Sequence, residues 1–333
     1  MTVFVLLAIS CAKETENAEV ANLQIMEVPL GFPDIEYPEG NEYTFERWSL
    51  GKALFYDSIL SKDGSISCAS CHDPSLAFSD DKNVSIGFDG LLGTRNAPSI
   101  ANVAYHPYFT REGGIPTLEM QILVPIQEHN EFNNNIVLIA DTLSKIEHYV
   151  QKSEAAYDQK PNAFVITRAL AQFERSLISG QSAYDLEFNY NIEGSMSEEA
   201  LRGKLLFESN KVSCSSCHSG FNFTDYSFQN NGLYAEYLDE GRARLTQDVD
   251  DVALFKVPSL RNVEITGPYM HDGSKNNLSD VIDHYNSGGA NHINKNSLIR
   301  PLNLSQGEMD DLLAFLVSLT DEKFIINKNL SNE

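Results

Sequence analysis

The sequence predicts an all-α protein made of two similar domains with long loops, and three observations support this fold class. Apolar residues recur at helical spacing in several stretches of the 333-residue chain, whereas the alternation typical of β-strands is scarce. Short motifs occur twice in the same order: Gly51–Phe55 pairs with Gly203–Phe207, and Ala97–Val103 pairs with Val257–Val263. In each copy the two motifs flank one Cys-x-x-Cys-His sequence. This repeated order indicates internal duplication of one structural unit.

The expected domain boundaries follow from this repeat. We expect a signal or lipoprotein segment with a flexible linker at residues 1–22, a first domain at residues 23–190 and a second domain at residues 191–325. The boundary between the domains lies near Asn189–Met196, because Asn, Gly and Ser residues interrupt the apolar pattern there. A chain of this length is sufficient for two domains of ordinary size.

The first ten residues are mostly apolar and are too short to span a bilayer. They lead into Ala8-Ile9-Ser10-Cys11 and a polar run, a pattern that resembles a bacterial lipoprotein signal. Cys11 would then become the lipid-carrying first residue of the mature protein. The alternative is an ordinary secretory signal with an incidental cysteine. Both interpretations place the mature chain in the periplasm, and lipidation would anchor it to a membrane.

Three stretches predict helices in detail. Ser195 and Glu198 form a candidate capping box before the second Gly-Lys-Leu-Leu-Phe sequence, and Ser305 and Glu308 form another before the last helix. A further helix is indicated by apolar residues at i, i+4, i+7 and i+11, which are Ile166, Leu170, Phe173 and Leu177. We assign these apolar faces to the core and not to chemistry.

The two Cys-x-x-Cys-His motifs, Cys68–His72 and Cys214–His218, predict two c-type haems. In such a motif both thiols, here Cys68 with Cys71 and Cys214 with Cys217, add to the vinyl groups of the porphyrin. The adjacent histidine, His72 or His218, becomes an axial ligand of the iron. A zinc site or a thioredoxin-type pair does not explain a histidine directly after the second cysteine in both copies. The chain is therefore expected to transfer electrons.

The net charge of −23 makes nucleic acid an unfavourable partner and would repel anionic membrane surfaces. The same charge would steer a basic electron-donor protein towards the chain. The alternative is that the acidity serves solubility alone.

The motifs together resemble the bacterial di-haem cytochrome c peroxidase family, which includes the MauG-type enzymes. The resemblance covers roughly residues 45–320 in the family's order. It implies two cytochrome c-like all-α domains. It also implies a cytochrome-c peroxidase, in which the first haem reduces hydrogen peroxide and the second takes electrons from a small c-type cytochrome or cupredoxin. Besides the two haem motifs, the resemblance depends on three further stretches, Arg95–Ser99, Thr117–Gln121 and Thr266–Gly273.

Peroxide reduction requires an open position on the iron and a nearby acid–base group. The glutamate that the family places in its Leu-Glu-x-Gln stretch corresponds to Glu119, with Glu112 and Glu128 as alternatives and a solvated carboxylate as the ordinary role of such a residue. Many family members also carry a histidine that blocks the first iron at rest. Residues 73–95 contain no histidine, and Phe88 lies at roughly that place. The first haem is therefore expected to be five-coordinate and ready to bind peroxide.

For the second haem, the resemblance places the sixth ligand at Tyr285, where the peroxidases have methionine and the MauG-type enzymes have tyrosine. A phenolate stabilises ferric iron, so the reduction potential should fall relative to that of a thioether-ligated haem. His284 and Met270 are the competing ligands.

Family members also hold a calcium ion between the domains. The matching residues here are Asn96, Thr266 and Pro268, whose amide and carbonyl oxygens suit a hard cation. The alternative is that these residues only shape turns. Tyr105 and Tyr108 lie where relatives carry a tryptophan between the haems, and they could assist electron transfer.

Two other functions remain open from the sequence. One is MauG-like, peroxide-dependent oxidation of a protein or organic substrate, which an open first haem and Tyr285 both favour. The other is a di-haem electron carrier, against which Glu119 in its motif argues. Family enzymes are often dimers, so a homodimer is a further expectation.

Overall fold

Two pairs of packed helices organise residues 27–332, the part of the chain that the computed structural model describes. Helix α1 (Phe45–Tyr56) packs on α6 (Ala163–Arg175) in the first half of the molecule. Helix α8 (Glu198–Phe207) packs on α11 (Gln306–Val317) in the second half. Each pair contains one copy of the Gly-Lys-x-Leu-Phe motif, on α1 and on α8, so the repeat in the sequence corresponds to a repeated pair of helices.

Most of the other elements are short and are joined by long loops, and the all-α prediction is confirmed. The remaining α-helices are α2 (Leu118–Gln121), α3 (Leu123–Gln127), α4 (Ile136–Leu143), α5 (Glu147–Tyr157), α7 (Ala183–Phe188), α9 (Ala243–Thr246), α10 (Leu278–Ser287) and α12 (Glu322–Ile325). Single 3₁₀ turns occupy Ser58–Leu60, Cys68–Ser70, Pro74–Leu76, Phe88–Gly90, Val103–Tyr105, Cys214–Ser216, Val249–Asp251 and Val263–Ile265. Strands β1 (Phe228–Gln229) and β2 (Phe255–Lys256) form a two-stranded antiparallel ladder with Phe228 opposite Lys256.

A glycine allows each helix pair to approach closely. A methyl group added at Gly51 would lie 1.9 Å from the backbone oxygen of Ala169, and one added at Gly203 would lie 1.8 Å from that of Asp311. Both distances are far below van der Waals contact, so the helices can touch only where one of them has no side chain. The glycine in each motif is therefore a packing requirement.

Replacing Gly203 with Ala is expected to lower the free energy of unfolding by about 1–3 kcal/mol, because α8 and α11 must separate to admit the new methyl group. The matched control is Gly307→Ala on α11, where an added methyl group meets nothing within 4 Å. That control should be neutral or slightly stabilising. Denaturant unfolding of both variants measures the difference, and equal stability of the two would show that Gly203 is not a packing requirement.

Each half has its own apolar core. The first cluster includes Phe55, Phe78 and Phe173, which are fully buried, and the second is centred on Phe315. Two segments pack against the core on the other side of the predicted domain boundary at residue 190. Tyr184 of α7 packs against the second cluster, and Phe324 and Leu330 near the chain end return to the first. The boundaries 23–190 and 191–325 stay predictions.

The predicted helix details are mostly confirmed. The four residues of the predicted apolar face on α6 are buried, although Leu177 follows the end of the helix. Ser305 and Glu308 form the capping box of α11. The predicted cap at Ser195 is wrong: Ser197 caps α8 by accepting a hydrogen bond from the Ala200 N–H, because the helix begins at Glu198.

The predicted signal segment, with Cys11, lies outside the described residues. Within residues 27–332, no helix is long and apolar enough to cross a membrane.

Several backbone features recur in the two halves. Asn102 and Asn262 both adopt left-handed conformations, with φ of 59° and 58°. Ser99 donates a hydrogen bond to the Ala77 carbonyl, and Ser259 donates one to the Asn222 carbonyl. These shared features support the interpretation that one unit was duplicated, which stays an interpretation.

Candidate haem and peroxide sites

The first Cys-x-x-Cys-His motif forms a 3₁₀ turn at Cys68–Ser70 that presents both thiols and the following histidine together. The Nδ1 atom of His72 lies 2.9 Å from the carbonyl oxygen of Phe78. A carbonyl only accepts hydrogen bonds, so Nδ1 carries the proton and Nε2 keeps its lone pair for a metal. Burial lowers the pKa of His72, which also favours the neutral imidazole.

The second motif repeats this geometry. Cys214–Ser216 form a 3₁₀ turn, and Nδ1 of His218 lies 3.1 Å from the carbonyl oxygen of Phe223. Burial again lowers the pKa of the histidine. The first cysteine of each motif packs against the apolar cluster of its own half. None of these four cysteines forms a disulfide. These residues therefore fit two covalently attached haems, one beside each core.

The carboxylate of Glu119 is engaged by other protein groups. Arg175 donates two hydrogen bonds to it, at 2.7 and 3.0 Å, and the Asn41 amide donates a third at 2.9 Å. Burial alone would raise the pKa of Glu119, but the hydrogen bonds and charge of Arg175 lower it overall. Glu119 therefore stays ionised and anchored. Its predicted role in proton transfer stays a prediction, and the ion pair with Arg175 was not visible in the sequence.

A different carboxyl group has the properties of a proton carrier. Burial, with a smaller contribution from Glu128, raises the pKa of Glu131 to about 7. No hydrogen bond from a described residue contributes to that shift, and the side chain is only partly covered, so solvent can exchange its proton. Glu131 interacts electrostatically with the thiols of both Cys68 and Cys71. It therefore lies beside the first haem-attachment site.

Two further observations concern Phe88 and Gln121. The Phe88 N–H donates a hydrogen bond of 2.8 Å to the Glu131 carbonyl, so the place predicted for a blocking histidine adjoins the Glu131 loop. The side-chain oxygen of Gln121 is buried and has no hydrogen-bond partner among the described residues. A buried acceptor without a partner is rare in proteins and suits a ligand with a hydrogen to donate. Both Gln121 and Glu131 flank α3, and the sequence reasoning missed both.

The remaining carboxyl groups near this site are less suitable. Glu112 pairs with Arg95 at 2.5 Å, and Glu128 is exposed. Glu174 is buried, and that burial raises its pKa to about 8, but it is only 8 % exposed within α6 and adjoins Cys68 alone. It has little access to the solvent that a proton carrier needs.

The second site contains all three predicted ligands. Tyr285 on α10 interacts electrostatically with the thiols of Cys214 and Cys217, and burial raises its pKa to about 12. Nε2 of His284 lies 3.0 Å from the backbone oxygen of Asn231. The sulfur of Met270 accepts a hydrogen bond from the Asn231 amide at 3.2 Å. Both competing ligands are therefore already engaged by protein groups.

The predicted calcium ligands lie in neighbouring loops, since the Asn96 N–H donates to the His271 carbonyl. The side-chain oxygen of Asn96, however, accepts a hydrogen bond of 3.1 Å from the guanidinium of Arg111. That cation occupies the one side-chain ligand that the prediction assigns. Calcium binding to Asn96 would require the Arg111 hydrogen bond to break, and the site with Thr266 and Pro268 stays a prediction.

Aromatic residues connect the two halves. The ring centroids of Tyr105 and Phe221 are 4.9 Å apart, and those of Tyr108 and Phe228 are 5.2 Å apart. Their predicted part in electron transfer stays a prediction. The imidazole of His271 stacks on the ring of Phe255, with the two centroids 4.3 Å apart.

Known proteins are similar to this chain in sequence. The sequence profile of a family described as di-haem cytochrome c peroxidase matches residues 45–191. A "Methylamine utilization protein MauG" from Methylorubrum extorquens is 35 % identical over 93 % of this chain and 89 % of its own length. A "Cytochrome c551 peroxidase" from Nitrosomonas europaea is 30 % identical over 82 % of this chain and 80 % of its own length.

Solved structures agree on the fold. The structure of a MauG-like protein associated with microbial copper homeostasis is similar with a TM-score of 0.87 and 33 % identity, covering 92 % of this chain and 98 % of the other. The di-haem peroxidase BthA from Burkholderia thailandensis has a TM-score of 0.73 at 21 % identity, covering 90 % and 94 %. The second likeness concerns the fold alone.

Proposed function

This chain belongs to the bacterial di-haem cytochrome c peroxidase family, and from that premise we propose that it reduces hydrogen peroxide to water with electrons from a small redox protein. The balanced reaction takes one peroxide, two electrons and two protons to two water molecules. The observation that carries the proposal is Glu131, a partly covered carboxyl group with a pKa of about 7 beside the first haem-attachment cysteines. Peroxide reduction requires a group that carries a proton at this place, whereas electron transfer alone does not.

When bound, a haem at the first site would supply the redox chemistry and an open position for a peroxide oxygen. His72 would hold its iron through Nε2, with the imidazole oriented by the Phe78 carbonyl. The ionised carboxylate of Glu131 would accept the first proton of peroxide and return it to the leaving oxygen. The unpaired oxygen of Gln121 would accept a hydrogen bond from the substrate and orient it. Arg175 and Glu119 would keep the neighbouring helices in place.

The second site would relay electrons from the donor. His218 would ligate that haem through Nε2, and Tyr285 would complete its coordination. An anionic oxygen ligand lowers the potential relative to a thioether, which favours onward transfer of electrons to the first site. The net charge of −23 favours a basic donor, either a c-type cytochrome or a cupredoxin.

The remaining proposals concern setting and assembly. Covalent haem attachment and the N-terminal pattern support a periplasmic location, with a lipid anchor at Cys11. A calcium ion at Asn96, Thr266 and Pro268 and a homodimer are proposals that rest on the family resemblance alone.

A second candidate function is peroxide-dependent oxidation of a protein or organic substrate. It is favoured by the 35 % identity to a methylamine utilization protein and by a tyrosine at position 285.

The oxidised, untreated holoprotein should oxidise a reduced, cationic c-type cytochrome when peroxide is added, without prior reduction of the enzyme. The reason is that residues 73–95 provide no histidine to block the first iron. Stopped-flow absorbance of the donor measures the rate, and a pre-reduced sample is the control. Equal rates in both samples support a constitutively open peroxidase. Activity only after reduction contradicts an open site. Consumption of peroxide without donor oxidation favours the second candidate function.

A further inference from the structure

One residue contacts all three side chains that could ligate the second haem. Asn231 follows β1, and its backbone oxygen accepts a hydrogen bond from Nε2 of His284 at 3.0 Å. Its side-chain amide donates to the sulfur of Met270 at 3.2 Å. It also hydrogen-bonds the hydroxyl of Tyr285. Neither the haem motifs nor the helix pattern pointed to this residue.

The side chain of Asn231 is held in one orientation. Its oxygen accepts a hydrogen bond from the Leu233 N–H at 3.2 Å, so the amide nitrogen is the atom that faces Met270. The adjoining backbone is fixed as well, since the Gly232 N–H donates to the Asn230 side chain at 2.7 Å and the Gly232 carbonyl accepts from Ala290 at 2.7 Å. The contacts of Asn231 are therefore built into this loop.

The contact with His284 engages Nε2, the nitrogen that would otherwise bind the haem iron. His72 and His218 both give Nδ1 to a backbone carbonyl and keep Nε2 free. His284 does the opposite, because its Nε2 is the atom bonded to Asn231. A nitrogen that donates its proton to a carbonyl has no lone pair for iron.

The contact with Met270 engages the sulfur of the second side chain that competes with Tyr285 as a haem ligand. A thioether sulfur is a competent haem ligand and a weak hydrogen-bond acceptor. The Asn231 amide holds that sulfur through one of its lone pairs, on a residue whose backbone is already fixed in a left-handed conformation, φ 76°. Tyr285 is the remaining candidate: its hydroxyl oxygen accepts a hydrogen bond from the same residue and keeps a further lone pair that could bind iron.

We propose that Asn231 is the positioning residue that makes Tyr285 the sixth ligand of the second haem, by holding Met270 and His284 away from the iron. This proposal rests on the proposed di-haem function but makes a separate claim about ligand choice. It implies that the low potential expected of the second haem depends on a loop residue outside both haem motifs.

The test is the visible spectrum and the midpoint potential of the Asn231→Leu holoprotein. Leucine has a similar shape to asparagine but cannot donate to sulfur, so Met270 is released. We expect the long-wavelength charge-transfer band of a thioether bound to ferric haem, together with a more positive potential of the second haem. The double variant Asn231→Leu/Met270→Leu should lose the band. A parent-like spectrum and potential in Asn231→Leu would overturn the proposal.

Asn296→Leu is the matched control. Asn296 also accepts a hydrogen bond from the backbone two residues on, at 2.8 Å, and donates to a neighbouring side chain, but it does not contact the three ligand candidates. It should keep the parent spectrum. If Asn231→Leu fails to fold, Met270→Leu alone decides: an unchanged spectrum supports the proposal, and loss of a thioether band already present in the parent overturns it. These readouts need no peroxide turnover, so they stand apart from failure of the proposed function.

Discussion

Replacing Glu131 with Gln is expected to lower peroxide turnover by about 10²–10⁴-fold, the range typical for removal of a general acid–base group. Glutamine has nearly the same shape but cannot carry a proton, so both haems should stay attached and the fold should be kept. Steady-state kinetics with peroxide and a reduced cytochrome donor measures the loss. Haem content, from the pyridine haemochrome spectrum, checks that two haems remain.

The pH profile provides a second signature of Glu131. If the ionised carboxylate accepts the proton of peroxide, kcat/KM of the parent should rise with pH through about 7, the pKa that burial gives this group. The Glu131→Gln variant should lack that acid limb. A parent profile that is flat between pH 5 and pH 9, or a variant that keeps the limb, would contradict the assignment.

The pH dependence of the free energy of unfolding distinguishes the loss of a proton carrier at Glu131 from damage to the fold. The folded-state pKa of Glu131 lies above its unfolded value of 4.5, so the unfolded chain ionises first. Stability is therefore lost as pH rises from the unfolded value to about 7. A glutamine at this position does not ionise, and Glu131→Gln should be at least as stable as the parent at pH 8. A large loss of stability at that pH would instead indicate a structural role.

Two matched variants distinguish Glu131 from its rivals. Glu174→Gln alters a buried carboxyl group on α6 whose pKa is also raised, and this variant should keep most of the activity. Glu119→Gln still offers Arg175 one oxygen, and we expect a smaller loss than at Glu131 because Glu119 serves as an anchor. If Glu119→Gln abolishes turnover while Glu131→Gln keeps it, the prediction from the motif is correct and the assignment to Glu131 is wrong.

The features that could be predicted from the sequence are those that local chemistry fixes. A Cys-x-x-Cys-His spacing needs only a single turn to present its thiols and histidine, so His72 and His218 were identifiable. The pairing of Ser305 with Glu308 is also local. The glycines of the repeated motif were visible as a pattern, although their contacts with Ala169 and Asp311 were not.

The acid–base group and the ligand positions depend on distant contacts, which explains why the sequence was insufficient. The partner of Glu119 is 56 residues away on α6, and the burial that raises the pKa of Glu131 comes from the fold. Asn231 lies 39 residues before Met270 and 53 before His284. Motif position alone therefore favoured Glu119 and left three ligands open for the second haem.

The second large effect concerns the buried ion pair between Arg261 and Asp185. Replacing Arg261 with Met is expected to lower the free energy of unfolding by about 3–5 kcal/mol, because the carboxylate of Asp185 is left buried without its cation. The two side chains are 1 % and 0 % exposed and share two hydrogen bonds, at 2.7 and 2.9 Å. Arg261 also donates to the Phe221 carbonyl, close to the second haem motif. Denaturant unfolding measures the loss.

A surface pair gives the matched comparison. Lys145 and Asp141 are 70 % and 64 % exposed, and Lys145→Met should change stability by about 0–1 kcal/mol. The double variant Arg261→Met/Asp185→Asn should recover much of the loss, because asparagine keeps an oxygen for the cap of α7 and carries no charge. An Arg261→Met protein as stable as the parent would mean that Asp185 finds another partner or water.

Because Asp185 and Arg261 lie in different predicted domains, Arg261→Met also tests where the two domains divide. Asp185 lies on α7, which the sequence assigned to the first domain, whereas Arg261 lies within the Val257–Val263 motif of the second half. The corresponding residue of the first motif is Ala101, so the first half lacks this pair. If α7 is part of the second folding unit, Arg261→Met should speed hydrogen exchange in α7, α8 and α11 together and leave α1 and α6 protected. Faster exchange in α1 and α6 as well would mean that the two cores unfold as one unit.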